Sequence, residues 1–268
     1  MNILRFKKIL YSLYKDVYKY FYIEPFGLER LTDSSEDWYV SQKFIPHALG
    51  SIENHSYTNS REALCNLLSK NIKISEVDIN VTRDGIPVLS HESVKETDFE
   101  TFMQSKISDK FHPLSLYDLI IEMRRDKELF FLLDIKSDFE IIIRYLKDKA
   151  FDVIDRFVIQ IGSPQKYREI IKIHKFKYFH YNFSVDGNLN YNLRFVVKNK
   201  IQSCSVAIKN VKSSRTLRYL KKYNIKSFAY TVNDIVLWQK LKKYGVYGIM
   251  SDNLELNEKV DCFKEKNI

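Results

Sequence analysis

From residue 42 onward, short apolar runs alternate with segments in which apolar residues recur at helical spacing. The predicted strands cover 43–49, 72–82, 85–91, 129–136, 156–162, 178–183, 204–209, 226–232 and 247–252. Predicted helices lie between them at 60–70, 115–126, 138–148, 164–174, 213–223 and 233–244. Most of these strands are apolar on both faces, which is typical of a parallel sheet covered by helices. The alternation predicts an α/β fold with about eight βα units, a (β/α)8 TIM barrel.

An open, doubly wound sheet is the alternative fold for a chain of this pattern. Such sheets commonly bind nucleotides through a glycine-rich turn that follows a strand. No G-x-G-x-x-G or G-x-x-x-x-G-K-[ST] motif follows any predicted strand, and the whole chain has only 7 glycines. The barrel is therefore the favoured prediction.

The first 23 residues have the pattern of an amphipathic helix. Apolar residues recur at intervals of three and four at Ile3, Phe6, Leu10, Leu13, Val17 and Tyr20. Aromatic residues accompanied by lysines suit a helix that lies on a membrane surface, but the same face can pack on the barrel or on a partner helix. We expect an N-terminal helical extension over residues 1–40 and the barrel over 41–268.

The sequence also bears on the compartment. No stretch reaches the ~20 apolar residues that a membrane-spanning helix needs, and no cleavage site of a secretory signal follows the first helix. The three cysteines, Cys65, Cys204 and Cys262, are widely spaced and odd in number. They indicate neither a disulfide framework nor a zinc site, which favours a reducing compartment. We expect a cytoplasmic protein, with membrane association through residues 1–23 left open.

The net charge of +9 is unevenly distributed, because the stretch from Gly187 to Asn233 contains no acidic residue. A basic surface of this kind favours phosphate esters, acidic polymers, membrane surfaces or nucleic acid, unless it is simply a solvated face. Nucleic acid is the least favoured of these partners, since no recognition motif or stacking platform of aromatic residues accompanies the lysines.

Acidic residues interrupt two of the predicted strands. Glu76 and Asp78 are two residues apart and therefore share one face, where packing gains nothing from two like charges. Asp134 interrupts the apolar run 129–136, and Lys136 follows it on the same face. A buried charge is costly unless it is paired or bound to a metal. Either Asp134 and Lys136 form an ion pair, or the three carboxylates meet around a divalent cation, Mg²⁺ or Ca²⁺.

Other polar residues also fall where predicted strands end, which in a barrel is the active-site mouth. His47 and His91 can act there as an acid and a base in one reaction. We expect Lys136, Tyr230 and Asn233 to contact the substrate, the lysine by neutralising charge on a phosphate oxygen. These parts suit the cleavage of a phosphodiester. We expect the remaining mid-chain histidines, which lack acidic neighbours at a strand end, to have no catalytic role: His55, His112, His174 and His180.

The motifs occur in the order HALG (47–50), EVD (76–78), TRDGIPVLSHE (82–92), DIK (134–136), YTVN (230–233) and YGIMSD (247–252). In this order and spacing they resemble the glycerophosphodiester phosphodiesterase family, within the wider phospholipase C-like phosphodiesterase barrels. The resemblance runs from about residue 44 to 253. It implies a TIM barrel, a divalent cation and hydrolysis of a diester of glycerol or another alcohol. It matches the catalytic histidines, the acidic metal ligands and the adjacent lysine to His47, His91, Glu76, Asp78, Asp134 and Lys136.

The sequence departs from the family pattern at several positions. Ala48 stands where the family has arginine, Thr58 where it has glutamate, and Tyr230 where it has tryptophan. The segment 92–112 is expected to be a short loop, which excludes a large insertion that caps the substrate. These differences leave the substrate open among small glycerophosphodiesters, lysophospholipids and polyol- or sugar-phosphate polymers. They also leave open a non-catalytic barrel that binds an anionic ligand or a membrane surface.

Overall fold

The computed structural model describes residues 28–262 except 36, 184–188 and 212–213. The predicted helix over residues 1–23 lies outside the described residues. The strands are β1 (Phe44–Pro46), β2 (Ile74–Val81), β3 (Pro87–Leu89), β4 (Phe130–Ile135), β5 (Phe157–Ile161), β6 (Tyr178–Phe183), β7 (Ser203–Ala207), β8 (Lys226–Tyr230) and β9 (Gly248–Ser251). The helices are α1 (Trp38–Ser41), α2 (Arg61–Ser69), α3 (Phe99–Gln104), α4 (Leu116–Arg125), α5 (Phe139–Lys149), α6 (Pro164–Ile173), α7 (Leu189–Lys198), α8 (Ile208–Val211), α9 (Ser214–Lys222), α10 (Ile235–Lys243) and α11 (Asn257–Cys262), with short 3-10 helices at Ile154–Arg156 and Leu254–Leu256.

The strands form one curled sheet in the order β1-β9-β8-β7-β6-β5-β4-β2-β3. All neighbouring pairs are parallel except β2 and β3, which form an antiparallel hairpin. The remaining gap, between β1 and β2, is bridged where Leu49 N donates to the carbonyl of Glu76 at 3.2 Å and Ser75 Oγ donates to the carbonyl of Pro46 at 3.1 Å. Eight parallel strands of the described chain therefore close on themselves, and the predicted (β/α)8 barrel is confirmed.

Side-chain caps stabilise the starts of several helices in the barrel's outer layer. The Ser60 side chain accepts from Ala63 N at the start of α2, and Ser115 forms a capping box with Asp118 at the start of α4. The segment 92–112 is not merely a loop, because it contains α3, which the side chain of Asp98 caps. Cys65 and Cys204 are free thiols, as expected. Within the described ranges, no helix has the length and apolar character that crossing a membrane requires.

The inner face of the barrel changes character along its axis. Apolar side chains fill the end where the strands begin, among them Ile45, Ile74, Leu132, Val158 and Phe228. Helix α1 covers this end, which we call the closed end, by stacking Trp38 on Phe228 with ring centroids 6.0 Å apart. Two to four residues further along each strand, on the same inner face, stand Glu76, Asp78, Asp134, Gln160 and Tyr230. The strand ends therefore form a polar mouth above an apolar floor.

Candidate active site

A cavity of about 460 Å³ opens at the mouth, where the strands end. Its lining consists mainly of polar side chains contributed by different strands or the loops that follow them: His47, Tyr57, Glu76, His91, Asp134, Lys136, Gln160, Asn182, Ser205 and Tyr230. The volume suits a small polar ligand. Of the residues predicted to form a site, Asp78 lies beneath the cavity wall and Asn233 lies outside its lining.

Three carboxylates meet at this cavity, since oxygen atoms of Glu76, Asp78 and Asp134 all lie within 4.8 Å of one another. Glu76 is 1% exposed and Asp78 is fully buried. Burial, reinforced by the charges of Asp78 and Asp134, raises the pKa of Glu76 to about 8. Because ionising three crowded and largely buried carboxylates is costly, the cluster needs positive charge close to it.

Lys136 supplies part of that charge. Its Nζ lies 2.9 Å from Asp78 Oδ1 and also donates to Asp134 Oδ2. Burial alone would lower the pKa of Lys136, but the charge of Asp134 and hydrogen bonds to both aspartates raise it well above its usual range. The predicted ion pair of Asp134 and Lys136 is present and extends to Asp78. One ammonium against three carboxylates still leaves an excess of negative charge.

The donor set fits a hard divalent cation. All three candidate ligands offer carboxylate oxygen, which Mg²⁺ and Ca²⁺ prefer. In addition, the buried Asp78 Oδ1 is paired with the Lys136 ammonium at 2.9 Å, but Lys136 is shared with Asp134. A buried carboxylate whose charge is only partly balanced is costly unless a further cation binds. Glu76, Asp78 and Asp134 could therefore hold a divalent metal.

Asn59 orients the most buried of these carboxylates. Its Nδ2 donates to Asp78 Oδ2 at 2.9 Å, while its Oδ1 accepts from the backbone N–H of Asp78 at 3.1 Å. Asn59 is itself fully buried and precedes the Ser60 cap of α2. Asn59 was not predicted as a site residue. The signal that could have revealed it is its place directly after Thr58, the position where the phosphodiesterase family that the sequence resembles has glutamate.

His47 is held by a carboxylate at the end of β9. Its Nδ1 donates to Asp252 Oδ1 at 2.9 Å, while its Nε2 lies 3.9 Å from Glu76 Oε2. Burial alone would lower the pKa of His47, but the hydrogen bond with Asp252 and the charge of Glu76 raise it above its ordinary value. Burial would raise the pKa of Asp252, but its hydrogen bonds with His47 and Asn233 lower it. The bond to Nδ1 fixes the imidazole so that Nε2 is the atom available on the acid-cluster side.

The side chain of Asn233, which was predicted to bind substrate, contacts Asp252 and Ser251. Its Nδ2 donates to Asp252 Oδ2 at 2.8 Å, and its Oδ1 accepts from Asp252 N at 2.9 Å. Its Oδ1 also accepts from the Ser251 hydroxyl. Asn233 therefore positions Asp252, and through it His47.

His91 stands on the rim of the cavity with 41% of its side chain exposed, and its Nδ1 lies 3.0 Å from Glu92 Oε1. The ring of Tyr57 contacts both histidines edge to face, with centroids 4.8 Å from His47 and 4.9 Å from His91. Both predicted histidines thus lie at the same mouth and share one aromatic neighbour. Tyr57 carried no motif signal in the sequence.

The departures from the family pattern have local explanations in the fold. The backbone turns through three left-handed residues from Ala48 to Gly50, which aims Ala48 N at Glu76 Oε2 at 2.7 Å. Thr58 is buried, with its hydroxyl 3.1 Å from that of Ser60. Tyr230 donates to Asn182 Oδ1 at 3.2 Å across the mouth. Ala48 therefore supports a carboxylate through its backbone, and Thr58 helps to shape the entry to α2.

Comparison with known proteins finds similar solved structures but no match to a protein-family model and no significant match to a curated protein. Among solved structures, a glycerophosphodiester phosphodiesterase from Thermotoga maritima superposes with a TM-score of 0.66 and 17% identity, covering 81% of this chain and 97% of that one. A glycerophosphoryl diester phosphodiesterase from Parabacteroides distasonis gives a TM-score of 0.68 and 14% identity, covering 90% and 96%.

A phosphodiesterase from Oleispira antarctica, solved with the product sn-glycerol-3-phosphate, gives a TM-score of 0.66 and 16% identity, covering 82% of this chain and 96% of that one. Identities this low establish the fold alone. The chain has the fold of the glycerophosphodiester phosphodiesterases, as the order of its motifs predicted.

Proposed function

We propose that this barrel is a metal-dependent phosphodiesterase that hydrolyses a glycerophosphodiester-type bond. The observation that carries the proposal is the meeting of three carboxylates, a lysine and two histidines at one cavity, at the strand ends of a barrel with this fold. The substrate class is supported by the fold and by the Oleispira antarctica neighbour, which was solved with sn-glycerol-3-phosphate. A cavity of about 460 Å³ has room for a small glycerophosphodiester or for the polar end of a larger molecule.

In this mechanism Glu76, Asp78 and Asp134 would hold a divalent cation, Mg²⁺ or Ca²⁺. When bound, the cation supplies Lewis-acid stabilisation of a phosphate oxygen. Asn59 holds Asp78 in the orientation that the site needs. The Lys136 ammonium is placed to neutralise charge that develops on the phosphoryl group.

His47 and His91 divide the proton transfers between them. One takes a proton from the attacking water or substrate hydroxyl, and the other gives a proton to the leaving alkoxide. Asp252 accepts a hydrogen bond from Nδ1–H of His47, so Nε2 is the atom that exchanges a proton with the substrate. Tyr57 packs against both imidazoles and keeps them at the mouth, and Tyr230 lines the wall where the substrate's alcohol group would lie.

The proposal is tested by measuring hydrolysis of glycerophosphocholine and bis(p-nitrophenyl) phosphate with Mg²⁺, with Ca²⁺ and with EDTA. We expect turnover that requires a metal and is lost in Glu76→Gln, which removes a ligand charge with little change of shape. Glu96→Gln is the matched control, because Glu96 is an exposed acid outside the acidic cluster and outside the lining of the cavity. Turnover that survives EDTA, or that Glu76→Gln leaves intact, would refute the proposal.

A second candidate function is a barrel that binds an anionic ligand without cleaving it. Two observations favour it: Lys136 lies between Asp78 and Asp134, and Ala48 offers no cationic side chain at the mouth. Its signature would be anion binding with no turnover of either substrate and no metal binding by isothermal titration calorimetry. Metal-dependent turnover of any diester would exclude it.

A further inference from the structure

A second cavity, of about 390 Å³, lies at the closed end of the barrel, opposite the mouth. Its walls are the starts of β8 and β9, the residue before β1, and the last turns of α9 and α10. Basic side chains dominate its lining: Arg30, Lys43, Lys221, Lys226 and Lys242. None of the described residues that line it is acidic. We call it the closed-end cavity.

The positive charge of this cavity is only partly neutralised. Lys226, which is 9% exposed, donates to Asp33 Oδ2 at 2.6 Å and to Asn224 Oδ1 at 2.7 Å. Among the described residues, no carboxylate lies within ion-pairing distance of Arg30, Lys43 or Lys221. Among the described residues, Arg30, Lys43 and Lys221 therefore face one concave space without a carboxylate within ion-pairing distance.

Stabilisation of helix ends explains the position of only some of the basic residues in this cavity. Lysines in the last turn of a helix complement its dipole, and Lys221 and Lys242 occupy such positions in α9 and α10. Arg30 lies in the segment that precedes α1, and Lys43 directly precedes β1. Neither of these two residues stabilises a helix end, yet both face the same cavity. In a barrel of this kind the end where the strands begin usually contributes stability, so no cation is required there for catalysis at the mouth.

We infer that the closed-end cavity binds a phosphate group, as a soluble phosphate ester or as the headgroup of an anionic lipid. Converging lysine and arginine side chains, together with the hydroxyl of Ser227 and the amide of Asn224 in the lining, match the charge and hydrogen-bonding needs of a phosphate. The inference is independent of the proposed catalytic function, because no residue of the mouth takes part in it.

The described residues that lead into α1 lie beside this cavity, which bears on whether the bound phosphate belongs to a lipid. Residues before α1 run along the closed end, where Leu31 N donates to the Tyr223 carbonyl at 3.3 Å and Asn224 Nδ2 donates to the Leu31 carbonyl at 3.0 Å. The chain therefore joins the barrel beside this cavity, and the amphipathic pattern of residues 1–23 lies directly upstream in sequence. A lipid bound here would leave the mouth facing away from the bilayer. Such an orientation favours a water-soluble diester as substrate.

The experiment measures binding of the full-length protein to two probes. Isothermal titration calorimetry with pyrophosphate reports a soluble phosphate, and co-sedimentation with vesicles of phosphatidylcholine containing phosphatidylglycerol reports a lipid headgroup. We expect Lys43→Ala combined with Lys221→Ala to weaken binding of at least one probe by about tenfold or more, because two charges leave the cavity. Added salt should weaken binding in the wild type.

Lys172→Ala is the matched control, because Lys172 also lies in the last turn of a barrel helix, α6, but outside the cavity. We expect its binding to stay within about twofold of wild type. Should the double variant fail to fold, Lys221→Glu alone tests the same cavity from an exposed helix end.

Loss of pyrophosphate binding alone identifies a soluble ligand, and loss of vesicle binding alone identifies a lipid headgroup. The inference is overturned if the wild type binds neither probe, or if the double variant and Lys172→Ala bind like the wild type. Turnover at the mouth, measured in the same preparations, should not change with the double variant.

Discussion

Asn59 offers the sharpest test of how the acidic cluster is built. The change Asn59→Ala removes the N–H that Asp78 Oδ2 accepts at 2.9 Å and the oxygen that accepts from Asp78 N at 3.1 Å. A hydrogen bond to a charged group contributes about 1.5–3 kcal/mol, and a buried N–H left without a partner costs about 1–3 kcal/mol. Both groups are fully buried, so water cannot replace the lost partner.

We expect the free energy of unfolding to fall by about 3–5 kcal/mol in Asn59→Ala, measured by urea denaturation at neutral pH. The backbone adds to the loss, because Asn59 has a φ of 47°, a left-handed conformation that asparagine tolerates better than alanine. Metal affinity, measured by calorimetry, should fall about 10–100-fold, the usual effect of removing a residue that orients a ligand. Asn66→Ala in α2 is the control and should change stability by less than about 0.5 kcal/mol.

The variant Asn59→Asp separates the two hydrogen bonds. It keeps the oxygen that accepts from Asp78 N but places a second carboxylate against Asp78 Oδ2. At neutral pH we expect a loss at least as large as in Asn59→Ala, since like charges in a buried site repel. As the pH falls and the introduced carboxyl takes up a proton, it can donate to Asp78 again, so part of the lost stability should return relative to the alanine variant. The reasoning is refuted if Asn59→Ala loses less than about 1 kcal/mol and binds metal as wild type does.

Three further predictions concern the residues around the mouth. In metal-free protein, Asp252→Asn should lower the pKa of His47, because it removes the charge that helps to raise it; an NMR titration of the imidazole should show the shift, and an unchanged pKa would contradict the role given to Asp252. Leu132→Ala, in the buried floor of the barrel, should lower the free energy of unfolding by about 2–5 kcal/mol in urea denaturation. Gly50→Ala should destabilise the protein by more than about 1 kcal/mol, because Gly50 has a φ of 84° and an added Cβ would collide with Leu254. A thermal melt equal to that of wild type would contradict this last prediction.

The barrel was predictable because each strand is short, apolar and followed by a helical pattern, which leaves few alternative folds. The errors lie at element boundaries and in helices that were not predicted, among them α7 (Leu189–Lys198). The predicted strand over 204–209 ends at Ala207, and the chain turns at once into α8. Helix α3 was missed because it has six residues, too few for a helical period to be read, and only the cap on Asp98 marks it. The predicted strand over 85–91 forms as β3, and it pairs antiparallel with β2 as a hairpin outside the eight barrel strands.

Site residues that follow a local sequence pattern could be predicted. Contacts between residues that are distant in the sequence could not. Glu76 and Asp78 share a strand face by the two-residue period alone. The contact of His47 with Asp252 spans 205 residues, and that of Asn59 with Asp78 joins a loop to the strand after α2. Sequence reasoning placed the Asp252 carboxylate at a strand end but could not assign it a partner. The contact of Asn233 with Asp252 is likewise tertiary and could not be predicted, and a substrate contact of Asn233 stays a prediction.

The position of Lys136 connects the two hypotheses that the sequence left open, an ion pair and a metal site. With the three carboxylates ionised, the Lys136 ammonium leaves two negative charges uncompensated, which is the charge of one divalent cation. The ion pair therefore does not satisfy the cluster, and burial together with the charges of Asp78 and Asp134 raises the pKa of Glu76. Under the proposed function, a cation held by the three carboxylates would compete with Lys136 for Asp78 and Asp134, and the lysine, whose side chain is 30% exposed, would then be free to turn toward the mouth. The ion pair and the metal site would in that case be successive arrangements of the same residues, and the second would place a cationic side chain where a phosphate would enter.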